Sequence, residues 1–177
     1  MKFFYIFVIA MLASSSIHAI PTVTFQGEIT EQTCEATINN QVNPIVVLPT
    51  VSAKALSSAG SSAGLTPITI KIENCQVSAN DDLKVNAQFL GRSVTSAGNL
   101  GNLATVNAAK NVALQLTSDS KGTSPLLLNG MTGLSGLVVK KGESSAVYDF
   151  GVQYISEEGS AKAGQITGIV EYSLSYL

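Results

Sequence analysis

The last fourteen residues, GQITGIVEYSLSYL, constrain the fold more than any other stretch. Counting back in twos from Tyr176 gives Leu174, Tyr172, Val170, Gly168, Ile166 and Gly164, all apolar or glycine. The other parity carries Gln165, Thr167, Ile169, Glu171, Ser173, Ser175 and Leu177. Alternation of this kind has the period of a β-strand, so one face is buried along the whole segment. At strand rise the segment reaches roughly 45 Å. A strand this long and this apolar needs a partner on each flank, because a bare edge is a template for aggregation.

The rest of the chain reads as short strands between turn residues. Candidates lie at 22–29, 36–38, 45–48, 65–72, 83–90, 112–116, 126–128, 137–139 and 147–155. In 65–72, Ile68, Ile70 and Ile72 fall on one face. Residues 52–64 are rich in Ser, Ala and Gly and are expected to form a loop with one weak helical turn. Residues 91–110 read as a long surface loop, and Asn129-Gly130 as a hairpin turn. No helix-period stretch of useful length appears. Strands recurring about every ten residues predict an all-β sandwich or barrel in one domain.

The amino-terminal end has a different character. Lys2 precedes an apolar run, 3–13, that is too short to span a bilayer, and small residues follow up to Ala19. This is the pattern of a secretory signal peptide, with cleavage expected after Ala19 and, as second choice, after Ala13. The single histidine, His18, leaves with it. The only cysteines are Cys34 and Cys75, and an even count in an exported chain predicts one disulfide. Closing a loop of about 40 residues would stabilise the fold by roughly 4 kcal/mol on the chain-entropy estimate.

Chemistry is hard to find. With no histidine left after cleavage, a hydrolase triad has no base and a zinc site would be half-ligated. Ser118-Asp119-Ser120-Lys121 matches S-x-x-K but sits among turn residues without its companion motifs. Asp81-Asp82 and Glu157-Glu158 are neighbours in sequence, which on a strand point to opposite faces. Lys+Arg is 10 against Asp+Glu 12, so no cationic surplus exists for nucleic acid. An enzyme is therefore not expected, and neither a cofactor nor a metal is.

The two ends make sense together. After the leader comes IPTVTFQGEITEQTC, in which Val23, Phe25, Gly27 and Ile29 share one face. A strand at the start of an exported chain has little local reason to pack on its own domain. It is suited to lie along the carboxy-terminal strand of another copy, by strand addition. Because donor and acceptor surfaces differ, such a contact propagates into a filament.

At this point the sequence resembles pilin subunits of chaperone–usher fimbriae of the type 1 kind, over essentially the whole chain after the leader. The marks are TVTFQGEI at 22–29, the spacing of Cys34 and Cys75, VVLPTV at 46–51, ITIKIENC at 68–75, the penultimate Tyr176, and Gly164 as fourteenth residue from the end. The resemblance implies an incomplete immunoglobulin-like sandwich lacking its seventh strand, completed by a donor strand in trans. It implies a signal peptide at 1–19, a donor extension at 20–33 and a pilin domain at 34–177. Val23, Phe25, Gly27 and Ile29 would be the donor residues, with Gly27 at the position that admits no side chain. Gly164, Ile166, Gly168, Val170, Tyr172, Leu174 and Tyr176 would line or flank the acceptor groove, and Leu177 would give its carboxylate to the chaperone. The implied partners are other pilin subunits, a periplasmic chaperone and an outer-membrane usher, and the implied location is a cell-surface fimbria reached through the periplasm. The rod-forming major subunit is the expectation. The alternatives are a minor adaptor or terminator pilin and a secreted single-domain β-sandwich lectin or adhesin.

Overall fold

A computed structural model describes residues 33–177. The leader and the donor residues Val23, Phe25, Gly27 and Ile29 lie outside the described residues.

Among the described residues eight strands follow one another: β1 (Glu35–Ile38), β2 (Ser61–Glu73), β3 (Leu83–Gly91), β4 (Ala113–Thr117), β5 (Pro125–Leu126), β6 (Thr132–Val139), β7 (Ala146–Ser156) and β8 (Val170–Tyr176). They form a five-stranded sheet in the order β1-β2-β7-β4-β5 and a three-stranded sheet in the order β6-β3-β8. Every ladder is antiparallel. The fold is the expected all-β sandwich. The only described helix is one 3₁₀ turn, Ala53–Leu56, capped by the Ser52 hydroxyl accepting from the Lys54 N–H.

The core forms where the inward parities of both sheets meet. Ile68, Ile70 and Ile72 of β2 and Phe150 and Val152 of β7 come from one sheet; Leu83, Val85, Ala87 and Phe89 of β3 come from the other. Phe89 and Phe150 join the two sheets directly, with ring centroids 5.4 Å apart and planes tilted by 44°. A pair of this geometry is worth about 0.5–1.5 kcal/mol beyond its buried area.

Four local expectations change. Residues 45–48 alternate as a strand should, with Val46 and Leu48 half-buried and Ile45 and Val47 exposed, yet no ladder partner exists among the described residues. β2 begins at Ser61, inside the stretch read as a loop. Residues 91–110 are not a loose surface loop: Asn99 and Leu100 are buried, and Leu100 exchanges both backbone bonds with Leu114 of β4 (2.8 and 2.9 Å). Asn129-Gly130 does not close a hairpin, because β5 and β6 on either side of it belong to different sheets. The dipeptide sets a turn; it does not choose the next partner.

Candidate subunit-binding groove

Two hydrogen bonds fix the parity of β8. The Leu177 N–H donates to the Lys84 carbonyl (3.1 Å) and the Arg92 N–H donates to the Ile169 carbonyl (3.0 Å). In an antiparallel ladder the bonded pairs recur every two residues, so the odd-numbered residues of β8 face β3. The N–H and C=O groups of Val170, Tyr172, Leu174 and Tyr176 therefore point to the other flank, where no described strand lies. Their side chains point inward and pack, half-buried, on the core. Backbone groups without a partner among the described residues, beside apolar side chains without full cover, are the features of a strand-accepting edge.

Val46 and Leu48 pack half-buried on the same core, and opposite β8 lies the segment of Cys34, Ala36 and Val42. Two tyrosines of β8 reach across to it. The Tyr172 hydroxyl donates to the Val42 carbonyl at 2.8 Å and lies 3.4 Å from that of Ala36, and the Cys34 N–H donates to the Tyr176 hydroxyl at 2.8 Å. Burial pushes the Tyr172 phenol above its usual range. Cys34 is joined to Cys75 in a disulfide that closes 41 residues of sequence, as expected from the cysteine count. Thr33 is held as well, its carbonyl accepting from the Gln76 N–H at 3.1 Å.

The carboxy-terminal strand is shorter than its alternation suggests. The ladder covers Val170–Tyr176, because β3 ends at Gly91. Residues 164–169 keep the same parity with other partners. Gln165 bonds the backbone of Asn107 and Ala109, and the Thr167 carbonyl accepts from the Leu103 N–H. The two glycines of this part allow the approach. A Cβ on Gly164 would sit 2.4 Å from Ala109 N and Asn107 O, and one on Gly168 would sit 2.9 Å from a Leu114 methyl. Beside this part lies a cavity of about 440 Å³ lined by Thr50, Val51, Leu56, Tyr154, Gly164 and Ile166 among others. Leu177 is 74% exposed at the far end.

Elsewhere polar groups staple loops. The Asp119 carboxylate accepts from the N–H groups of Lys121, Thr123 and Ser124 and from the Thr123 hydroxyl. Burial alone would push this carboxyl up, but the hydrogen bonds outweigh it and hold it well below the usual range. The S-x-x-K stretch is thus a self-capped turn. Glu157 accepts from Thr95 and Asn99, and a chain of side-chain amides runs on from Asn99 through Gln115 to Gln153. Sequence reading missed Asn102, whose amide touches the groove-forming segment. Its only signal was its place in a stretch rich in Asn and Gly.

A model of the fimbrial protein family matches residues 23–177. The chain belongs to the fimbrial protein family. It is 34% identical to the F17 fimbrial protein of Escherichia coli, over 96% of this chain and 97% of that one. It is 32% identical to the major fimbrial subunit SMF-1 of Stenotrophomonas maltophilia, over 88% and 91% of the two chains. It is 31% identical to the minor fimbrial subunit HifD of Haemophilus influenzae, over 87% and 73%. A chain from a solved chaperone–usher pilus shares the fold, with a TM-score of 0.60 at 15% identity over 93% of this chain and 100% of the other. As a fimbrial subunit the chain is a structural component of a surface pilus and not an enzyme.

Proposed function

We propose that the chain is the major rod subunit of a chaperone–usher fimbria and that it polymerises by donor-strand exchange. The observation that carries this reading is the flank of β8 that no strand of the described residues covers, with the half-buried Val170, Tyr172, Leu174 and Tyr176 alongside it. Residues 1–19 direct export and are removed, 20–33 form the donor extension, and 34–177 form the domain that accepts a donor. In the periplasm a chaperone strand covers the groove, and the exposed carboxylate of Leu177 is available to its basic residues. At the outer-membrane usher the extension of the next copy replaces that strand.

The extension enters antiparallel to β8, continuing the antiparallel order of the sheet. Val23 then lies toward Tyr176 and Ile29 toward Ile166 and the cavity beside it. Burial of Val23, Phe25 and Ile29 contributes about 1.5–3 kcal/mol each. Each new ladder bond adds about 0.5–1.5 kcal/mol. Gly27 is read as the donor position that admits no side chain, as the resemblance implies. Donor and acceptor in one chain support a subunit inside the rod. The relation to HifD favours a minor subunit as the second reading.

Gly27→Leu is the test. The variant is expected to fold and to bind chaperone, and to form no filaments by electron microscopy. Filaments at wild-type yield would overturn the assignment of Gly27. Deletion of residues 20–30 is expected to leave a subunit that binds chaperone and cannot cap its predecessor.

A further inference from the structure

The carboxy-terminal segment keeps one hydrogen-bonding parity through two different environments. From Ile169 to Leu177 the odd residues face β3 and its continuation at Arg92. From Gln165 to Thr167 there is no strand to face. Loop backbone bonds Gln165 and the Thr167 carbonyl, and one side chain adds a second bond to the Gln165 carbonyl and supplies the partner of the Thr167 N–H. The Asn102 Oδ1 accepts from the Thr167 N–H (3.1 Å) and the Ala104 N–H (2.9 Å). Its Nδ2 donates to the carbonyls of Gln165 (2.8 Å) and Ala109 (3.0 Å). A carboxamide has two donor hydrogens and two acceptor lone pairs, and here all four find backbone partners. Two are N–H groups and two are carbonyls, so the partners also fix which end of the amide is which.

Asn102 thus stands in for a peptide group of an absent strand. It holds Gln165 and Thr167 from one side, which leaves the N–H and C=O groups of Ile166 and Gly168 on the same open flank as those of Val170 to Tyr176. Gly164 and Gly168 let the segment lie flat against its neighbours. We infer that Asn102 is a positioning residue that lengthens the strand-accepting edge beyond β8, from Val170 back to Ile166, so that a donor strand is gripped along the cavity as well as along the ladder. This rests on the donor-strand reading above, and it assigns a role to a residue that contacts no donor.

The test compares the full chain with Asn102→Asp, which keeps the shape but loses both donor hydrogens and sets a carboxylate against two carbonyls, and with Asn102→Ala. Hydrogen exchange is read residue by residue, first in the unassembled chain and then in filaments. In unassembled Asn102→Ala, which removes the acceptor of the Thr167 N–H, that amide is expected to exchange about ten-fold faster or more, the size that goes with losing one or two hydrogen bonds, while Glu171 and Ser173 keep wild-type rates. In filaments the Ile166 and Gly168 amides are expected to be protected in the wild type and to lose about ten-fold of that protection in the variants, with Tyr172 and Leu174 unchanged. Asn102→Gln, a milder change that moves the carboxamide by one methylene, is expected to give the same local loss at smaller size. Wild-type exchange at Thr167 in Asn102→Ala, or uniform acceleration from 164 to 177, overturns the inference. Wild-type filaments in which neither Ile166 nor Tyr172 gains protection overturn the donor-strand reading instead, and the unassembled chain still tests Asn102.

Discussion

β7 and β8 have the same sequence signature and opposite surroundings. β8 alternates apolar with polar residues throughout, and β7 puts Tyr148, Phe150, Val152 and Tyr154 on one parity. β7 lies between β2 and β4, and its centre, from Phe150 to Gln153, is buried. β8 pairs with β3 alone among the described residues, and no residue of it is fully buried. The contrast separates two properties that alternation confounds. A period of two records which face of a strand points at the core. It does not record how many of its flanks are bonded.

The sharpest way to break this contrast is to remove one inward side chain from each strand. Phe150→Ala deletes a ring that is 3% exposed and packed on Phe89, and is expected to cost about 3–5 kcal/mol in denaturant unfolding. Leu174→Ala in the unassembled subunit is expected to cost less than half of that, since its site is already half open, and to cost more once a donor covers it. Equal losses in the unassembled subunit would mean that β8 is as enclosed as β7.

Next in size is the disulfide. Replacing Cys34 and Cys75 together by Ser is expected to lower stability by about 2–4 kcal/mol. The loss should fall on the groove side, where Cys34 meets Tyr176, and be visible as faster exchange in β1 before β7. Loss of protection in β7 first would remove the distinction between the enclosed and the open side.

The smallest effect concerns the flank of β3 remote from β8. There Asp82, just before β3, bonds Lys140 Nζ (2.8 Å) and the Lys141 N–H (2.9 Å), just after β6. The hydrogen bond from Lys140, and then that from Lys141, hold its carboxyl below the usual range. A carboxyl depressed in the folded state contributes stability above its unfolded value of about 3.9, and that contribution is lost as pH falls through the lower folded value. Asp82→Asn should therefore lower thermal stability slightly near neutral pH and converge with the wild type in strong acid, which flattens the acid side of the profile. A change near neutral pH equal to that in acid would show that the variant disturbs packing rather than charge.

Much of the sandwich was legible because its strands alternate cleanly. Ile68, Ile70 and Ile72 announce β2, and the alternation from Leu83 to Leu90 announces β3. The turn at 53–56 was legible as a weak helical signal. Other elements were hidden for identifiable reasons. Residues 45–48 carry the alternation of a strand since Val46 and Leu48 face the core, but alternation says nothing of ladder bonds. Leu100 is buried within a stretch whose Gly, Ser and Asn content resembles a free loop, and one apolar residue makes no period. The acceptor side of the groove was readable from Val170, Tyr172, Leu174 and Tyr176. The cross-groove reach of the two tyrosine hydroxyls was not, since it depends on long-range placement of Cys34 and Val42. Asn102 was invisible because a carboxamide that imitates a peptide leaves no pattern in sequence.

The disulfide also sets how the domain bears load. A pull on the chain at Thr33 reaches Cys34 first, and from there a covalent path leads straight to Cys75 at the end of β2. The short β1, with only four residues in its ladder, is bypassed. Tension is delivered instead to β2, whose ladder with β7 extends over most of the sheet, along the strand axis, so that many bonds resist together rather than opening one after another. A pull from the amino-terminal side is therefore borne by β2 and not by β1.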